Sequence, residues 1–324
     1  KVISEIEIFL TNQGKVKDFI ARGTVKDLKA ETFSDLNLKK LNLNFFADKY
    51  DILIKNIYGN LEDISILNGD VKLNLENGIK LKANFNSKLD LNEKFLNKYH
   101  KLFSKYKLNN LKNLKADFNN IVSIDLDNTY KIKNYNYSIS GIVEEGNIKL
   151  LNPITNKFIT KKIESVYLSN FKILSNFQPK ENKFKGDGKY SFNNLEFLNF
   201  NLEKNLNKDK INLKLNFDYA DSLEFGIINY KKKNNSIANL SLNLEKKEDQ
   251  IKINKINFKD GNNIIKGSGF VFNENKFSTF KKIEVMTANN DFLLQNGKKI
   301  IIRGNKFDAT NLVKSFNKSK RENI

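Results

Sequence analysis

Residues Asp70–Leu91 read DVKLNLENGIKLKANFNSKLDL. One parity holds Val71, Leu73, Leu75, Ile79, Leu81, Ala83, Phe85, Leu89 and Leu91, broken only by Asn77 and Ser87. The other holds Asp70, Lys72, Asn74, Glu76, Gly78, Lys80, Lys82, Asn84, Asn86, Lys88 and Asp90, with no apolar side chain. A period of two marks a half-buried strand, because successive side chains point to opposite faces. A two-residue loop at Asn77-Gly78 would set Leu75 opposite Lys80 and Glu76 opposite Ile79. A three-residue loop, Glu76-Asn77-Gly78, instead sets Leu75 opposite Ile79, Leu73 opposite Leu81 and Val71 opposite Ala83. Gly78 then takes the left-handed position that such loops require. The stretch is a β-hairpin with one greasy face and one basic face.

The same alternation runs along the chain. Ile6, Ile8 and Leu10 lead through Asn12-Gln13-Gly14 to Phe19, Ala21, Gly23 and Val25. Leu41, Leu43 and Phe45 are followed by Ile52 and Ile54, and Leu114, Ala116, Phe118, Val122, Ile124 and Leu126 form one long strand. Tyr135, Tyr137, Ile139, Gly141 and Val143 answer it. Later come Ile211 to Tyr219, Leu240 to Leu244, Ile251 with Ile253, and Ile264 to Phe272. Asn, Asp and Gly mark the turns, about one strand per 10 to 14 residues, so roughly 20 strands are expected. One segment breaks the pattern. NEKFLNKYHKLFSKY sets Phe95, Leu96, Tyr99, Leu102 and Phe103 at helical spacing behind Asn92, a good N-cap, and predicts an amphipathic helix over 92–104. A short helix is expected over 310–316. No Gly-, Ser- or Pro-rich linker divides the chain, so residues 1–324 read as a single elongated segment. Open sheets of this many strands curl, split or close. A sheet that is apolar on one face, strand after strand, fits a long curled antiparallel all-β groove.

Composition narrows the function. The chain has 324 residues, 40% hydrophobic and 29% charged, with no Cys, so disulfides and thiolate metal sites are excluded. The net charge of +19 comes almost wholly from Lys; it suits anionic partners and equally suits solvated strand backs. The one histidine, His100, lies beside Tyr99 and Lys101 on the helix and reads as a surface residue. Asp125 and Asp127 fall on the polar parity. Gly267-Ser268-Gly269, like Gly186 with Gly188, sits in a strand with no helix after it, so neither is a phosphate loop. The aromatic pattern of RNA-binding sheets is missing, and nucleic acid is not expected as a partner. No enzyme activity, metal or cofactor is expected. The chain starts at Lys1 directly in strand-like VISEIEIFL and reads as a piece of a longer protein, with targeting and anchoring segments outside it.

Two stretches carry a likeness to a known family. IIIRGNKFDATNLV, at residues 300–313, is an amphipathic strand closing on Arg-Gly before a Phe-Asp-Ala helix start. IFLTNQGKVKDFIARGTVKDL, at 8–28, is a strand, a Gly turn and a strand ending in G-x-V-x-D-L. Both resemble elements of YhdP- and TamB-type proteins of the bacterial AsmA-like superfamily, and the style of repeat extends over most of the chain. The heavy Lys and Asn content departs from that family. The resemblance implies a β-taco-like groove in the periplasm of a protein anchored in the inner membrane. It implies conduction of phospholipid between inner and outer membranes and no catalytic residues.

The residues bear the same reading. Each CH₂ moved out of water is worth about 0.8 kcal/mol, so a 16-carbon chain faces roughly 10 kcal/mol or more in crossing water alone. A continuous apolar trough removes most of that cost. A lining of Leu, Ile, Phe, Val and Ala without fixed polar partners favours sliding over storage, with headgroups at the open seam near the lysines. The expected lining is Val71, Leu73, Leu75, Ile79, Leu81, Ala83 and Phe85, then Ala116, Phe118, Val122, Ile124 and Leu126, then Leu213, Leu215 and Phe217. The helix over 92–104 would plug the trough, cap it or lie on a membrane. Two alternatives share the alternation: an outer-membrane β-barrel, which is a closed ring with aromatic girdles, and a structural or adhesive β-protein with a sealed core.

Overall fold

A computed structural model describes residues 1–31, 36–100, 110–156, 159–234 and 236–310. The chain is all-β, 76% strand and 4% helical, and its large antiparallel sheet does not close on itself. In chain order the elements are β1 (Val2–Leu10), β2 (Val16–Glu31), β3 (Asn37–Asp48), β4 (Asp51–Leu61), β5 (Ile64–Asn74), β6 (Ile79–Leu91), α1 (Glu93–Lys98), β7 (Leu111–Leu126), β8 (Ile132–Asn156), β9 (Ile159–Phe177) and β10 (Glu181–Ser191). There follow β11 (Leu198–Asn207), β12 (Lys210–Tyr219), β13 (Leu223–Phe225), a 3₁₀ turn over Gly226–Ile228, β14 (Tyr230–Lys232), β15 (Ala238–Lys247), β16 (Gln250–Asp260) and β17 (Asn263–Asn273). The last are β18 (Lys276–Thr279), β19 (Lys282–Thr287), β20 (Asn290–Asn296) and β21 (Ile300–Lys306). The chain divides into two compact units, one of residues 1–149 with 167–184, the other of 150–166 with 185–324.

In the first unit β1 to β8 pair in sequence order, each antiparallel to the next. The β5–β6 hairpin has the register its pattern requires, with Leu73 opposite Leu81 and Val71 opposite Ala83. Gly78 lies at φ +86° in the turn, where only a residue without Cβ is unstrained. In the second unit the ladder runs β11–β12–β15–β16–β17–β19–β20–β21, and β13 with β14 forms a small hairpin lying between β12 and β15 in sequence.

Four neighbouring strands share a device that simple alternation does not disclose. β2, β3, β4 and β5 each carry a bulge, with Asp27, Lys40, Asn56 and Asn68 at φ of 52°, 53°, 53° and 63°. A bulge adds one residue to a strand and so exchanges the parities beyond it. In β4 the residues paired across the apolar face are Ile52 and Ile54 before the bulge, then Ile57, Gly59 and Leu61 after it. In β5 they are Leu73, Val71 and Gly69, then Ile66 and Ile64. The apolar face is thereby kept while the strand bends. Polar-face side chains satisfy the displaced amides. Asn42 Oδ1 accepts from the Asp27 N–H at 3.2 Å, and Asp70 Oδ1 from the Asn56 N–H at 3.2 Å.

Helix α1 starts where Asn92 Oδ1 accepts the Phe95 N–H at 3.0 Å. Phe95, Leu96 and the following Tyr99 pack with Leu36 and Leu91, against Leu61, Ile64, Leu89, Leu111 and Leu114. The amphipathic helix thus exists and lies on one end of the apolar face. Of the expected span 92–104, residues 101–104 lie outside the described residues. The expected helix over 310–316 begins at Thr310, and the remainder also lies outside them.

The bulges generate a prediction. Asn68→Val places a β-branched residue at positive φ and is expected to cost about 1–2 kcal/mol, whereas Asn68→Gly should be close to neutral. Urea unfolding of the two variants, with the slope unchanged, measures the difference.

Candidate functional site, an uncovered apolar face

Antiparallel pairing turns single-strand alternation into rows that cross the sheet. In the first unit one row is Ile6, Ala21, Ala47, Ile52, Leu73, Leu81, Ile124 and Tyr135, one residue from each of β1 to β8. Beside it run Ser4, Gly23, Phe45, Ile54, Val71, Ala83, Val122 and Tyr137. At ~4.8 Å between strands, eight strands make rows of about 34 Å. On the opposite face Lys72 pairs with Lys82 and Lys82 with Ser123, while Asn119 Nδ2 donates to Asn84 Oδ1 and Asn86 Oδ1 at 3.1 and 3.0 Å. Each face is chemically uniform across many strands.

These rows are screened by their neighbours on the sheet without being sealed. Along β6, exposed residues alternate with partly covered ones from Ile79 to Asn86. Of the fifteen expected lining residues, thirteen are partly covered. The exceptions are Leu75, 38% exposed, and Ala116, 2% exposed. The structure brings Val71, Leu73, Leu81, Ala83, Val122 and Ile124 into the two rows above, with Ile79 opposite Leu126 at their flank. Phe85, Phe118 and Ala116 lie further along β6 and β7, toward α1. Leu213, Leu215 and Phe217 belong to the second unit, opposite Leu244, Leu242 and Leu240.

Two features correct the expectation of a plain hydrocarbon lining. The first is a polar brace on the apolar face itself. Asn120 Nδ2 donates to Ser87 Oγ at 2.9 Å and to the Phe85 carbonyl at 3.3 Å, and the Tyr137 hydroxyl donates to Asn120 Oδ1 at 2.9 Å. Asn120 and Ser87 are only 4% and 8% exposed, and burial pushes the Tyr137 phenol up. Buried polar groups persist where they satisfy one another. The brace ties β6, β7 and β8 together and interrupts the apolar surface.

The second is a flap in the second unit. Ile228 and Tyr230 pack on Ala238, Phe258, Val285 and Phe292, joined by Phe225, Leu240, Ile265, Ile283 and Leu294. Three polar anchors hold it. Asn290 Nδ2 donates to the Ile228 carbonyl at 2.8 Å, and the Tyr230 hydroxyl donates to Asp260 Oδ2 at 2.5 Å. Fully buried Lys232 donates from Nζ to the carbonyls of Ala220, Lys233 and Ser236 at 2.6, 2.9 and 2.5 Å. Desolvation draws the lysine below its ordinary pKa, with the Asp260 carboxylate opposing. The row Phe200, Phe217, Leu240, Phe258, Ile265, Val285 and Phe292 is therefore largely roofed by the protein's own side chains.

The sequence-level candidates for other chemistry resolve simply. Asp125 pairs with Lys80 and Asn134 on the polar face, and Asp127 Oδ1 accepts from the Thr129 and Lys131 amides in the β7–β8 turn. His100 is exposed and meets the Asn97 carbonyl at 3.3 Å. The residues missed at this face, Ile52, Ile54, Phe45 and the Asn120 brace, were visible as apolar runs whose parity changes and as one polar residue in apolar parity. No protein-family model, curated protein or solved structure matches the chain.

Glu62 fastens α1. Its carboxylate accepts from the Asn37 side chain at 2.7 Å, the Asn37 amide at 2.9 Å and the Tyr99 hydroxyl at 2.8 Å, and these bonds, Asn37 foremost, hold its pKa down at about 2. A depressed carboxylate contributes stability above its ordinary pKa and loses it as pH falls through the folded value. Protection of residues 93–99 in hydrogen exchange is expected to fall between about pH 4.5 and pH 2. In Glu62→Gln it should be weaker at neutral pH and insensitive to pH across that window.

Proposed function

We propose that this chain is a lipid conduit of the bacterial cell envelope, in which phospholipid acyl chains slide along the apolar face while headgroups stay at its open margin. The observation that carries the reading is the row from Ile6 to Tyr135, apolar in every strand of the first unit and sealed in none of them. A soluble protein that leaves so long an apolar surface half-covered needs an occupant for it. The hydrocarbon core of a bilayer, two acyl chains deep, is ~30 Å thick. A row of about 34 Å therefore has room for the whole of one tail.

The mechanism follows from what the rows lack. Aliphatic and alanine side chains offer a tail similar surroundings at each step, so no position along the row from Ile6 to Ile124 binds it much more tightly than the next. The cost of roughly 10 kcal/mol or more for exposing a 16-carbon tail to water is largely avoided throughout the passage. Lysines of the polar face and strand ends supply positive charge for a phosphate at the margin. The open sheet argues against a closed outer-membrane barrel. Periplasmic residence, with an inner-membrane anchor elsewhere in a longer protein and phospholipid passing to the outer membrane, belongs to the same proposal.

A sealed structural core is the second reading, and the roof over Phe258 and Val285 favours it for that part of the second unit. The two readings separate at the first unit. A photo-crosslinking amino acid at Leu81 or Ile124 should capture phospholipid in cells, and one at Lys82, on the opposite face, should not. Equal labelling from both faces, or none from either, would count against a conduit.

A further inference from the structure

The outermost strands differ from all those between them. β1 is exposed at every residue, with Val2, Ile3, Ile6, Ile8 and Leu10 between 55% and 61% and Phe9 at 45%. β21 is likewise exposed throughout, with Ile300, Ile301 and Ile302 at 61%, 44% and 57%. Among the described residues β1 pairs only with β2, and β21 only with β20. A long apolar strand with a free edge is a template for another strand.

The backbone shows which residues face outward. Lys1 and Lys26 exchange two hydrogen bonds of 2.8 Å, so alternation turns Ile3, Glu5 and Glu7 toward β2. The N–H and C=O groups of Val2, Ser4, Ile6 and Ile8 are left on the free edge. At the other end the Asn296 N–H donates to Lys281, on the β19 side, and the Gly297 N–H to Lys299. Alternation therefore turns Ile301 and Arg303 toward β20 and leaves Ile300, Ile302 and Gly304 outward. On both edges the outward backbone belongs to the parity that carries the apolar face. Any antiparallel ladder between these edges joins outward residue to outward residue, so it sets apolar face beside apolar face.

We propose that the β21 edge of one copy of this chain takes up the β1 edge of a second copy, with Ile8 opposite Ile302, Ile6 opposite Gly304, Phe9 opposite Ile301 and Glu7 opposite Arg303. Charge selects this pairing. Glu5 and Glu7 share a single guanidinium, Arg22, at 3.0 and 3.4 Å, leaving an acidic excess on β1. Arg303 faces Leu293 and makes no ion pair with a described residue. Two β1 edges centred on Ile6 would set Glu5 against Glu7 twice, and two β21 edges would leave Arg303 without a carboxylate. The same register covers Phe9 and Ile301, two apolar residues stranded on the polar face. A contact between two different edges does not close on itself and extends as an open series of copies. The inference stands independently of the lipid reading.

Sedimentation velocity of the 324-residue chain over a wide concentration range tests it. The average mass should rise with concentration without reaching a plateau. Ser4→Pro removes an outward N–H and spares the β1–β2 ladder, and should weaken association about tenfold or more with an unchanged far-UV spectrum. Glu7→Lys and Arg303→Glu should each weaken it, and the two charge reversals combined in one chain should restore it. A chain that stays monomeric, a dimer at which the mass levels off, association untouched by Ser4→Pro, or charge reversals that do not rescue one another would overturn the proposal.

Discussion

Everything in this protein follows from keeping one face of an open sheet apolar across many strands. A strand holds two faces by alternation alone, and a slip of one residue inverts them. The chain meets this constraint in two ways. Where strands are straight, as in β6 and the lower part of β7, strict alternation suffices. Where β2 to β5 bend, each strand spends one residue on a bulge and changes parity at the same level of the sheet. The left-handed residues at those bulges are the polar Asp27, Lys40, Asn56 and Asn68, and aliphatic residues resume on either side. Curvature and amphipathy are thus written by the same few positions.

The all-β class, the β5–β6 hairpin and its register were legible because turn chemistry and hydrophobic parity gave the same answer at Glu76–Gly78. Helix α1 was legible from Asn92 and the spacing of Phe95, Leu96 and Tyr99. The bulges were harder to read. Ile54 and Ile57, or Ile66 and Val71, look like broken alternation until the neighbouring strand supplies the partner. The polar brace was hidden for a different reason. Ser87 and Asn120 are far apart in sequence and become a pair only when β6 meets β7. The flap was out of reach as well, since Lys232 is one lysine among many until three carbonyls surround it.

The two units treat the same face differently. In the first, the helix covers only the end of the sheet near Leu61, Leu91 and Leu111, and the rows through Leu73 and Leu81 stay accessible. In the second, the segment from Leu223 to Lys232 folds over the aromatic row and is held by a lysine, a tyrosine–aspartate pair and an asparagine. A roof pinned by polar bonds to backbone carbonyls is a defined structure rather than loose collapse, because each buried donor has its acceptor. The accessible rows of the first unit and the roofed row of the second divide the apolar surface between a place for guests and a core for stability.

The central claim is that the rows through Ile52, Leu73, Leu81 and Ile124 are occupied by hydrocarbon when the protein is at work. Native mass spectrometry of the chain purified gently from bacterial cells measures this directly. The account predicts phospholipid bound in excess of its abundance on a protein with a sealed core, and its loss when Leu81 and Ile124 are both replaced by bulky Trp that fills the trough while the fold is retained. Lipid-free protein from cells rich in phospholipid, or bound lipid indifferent to filling those positions, would contradict it.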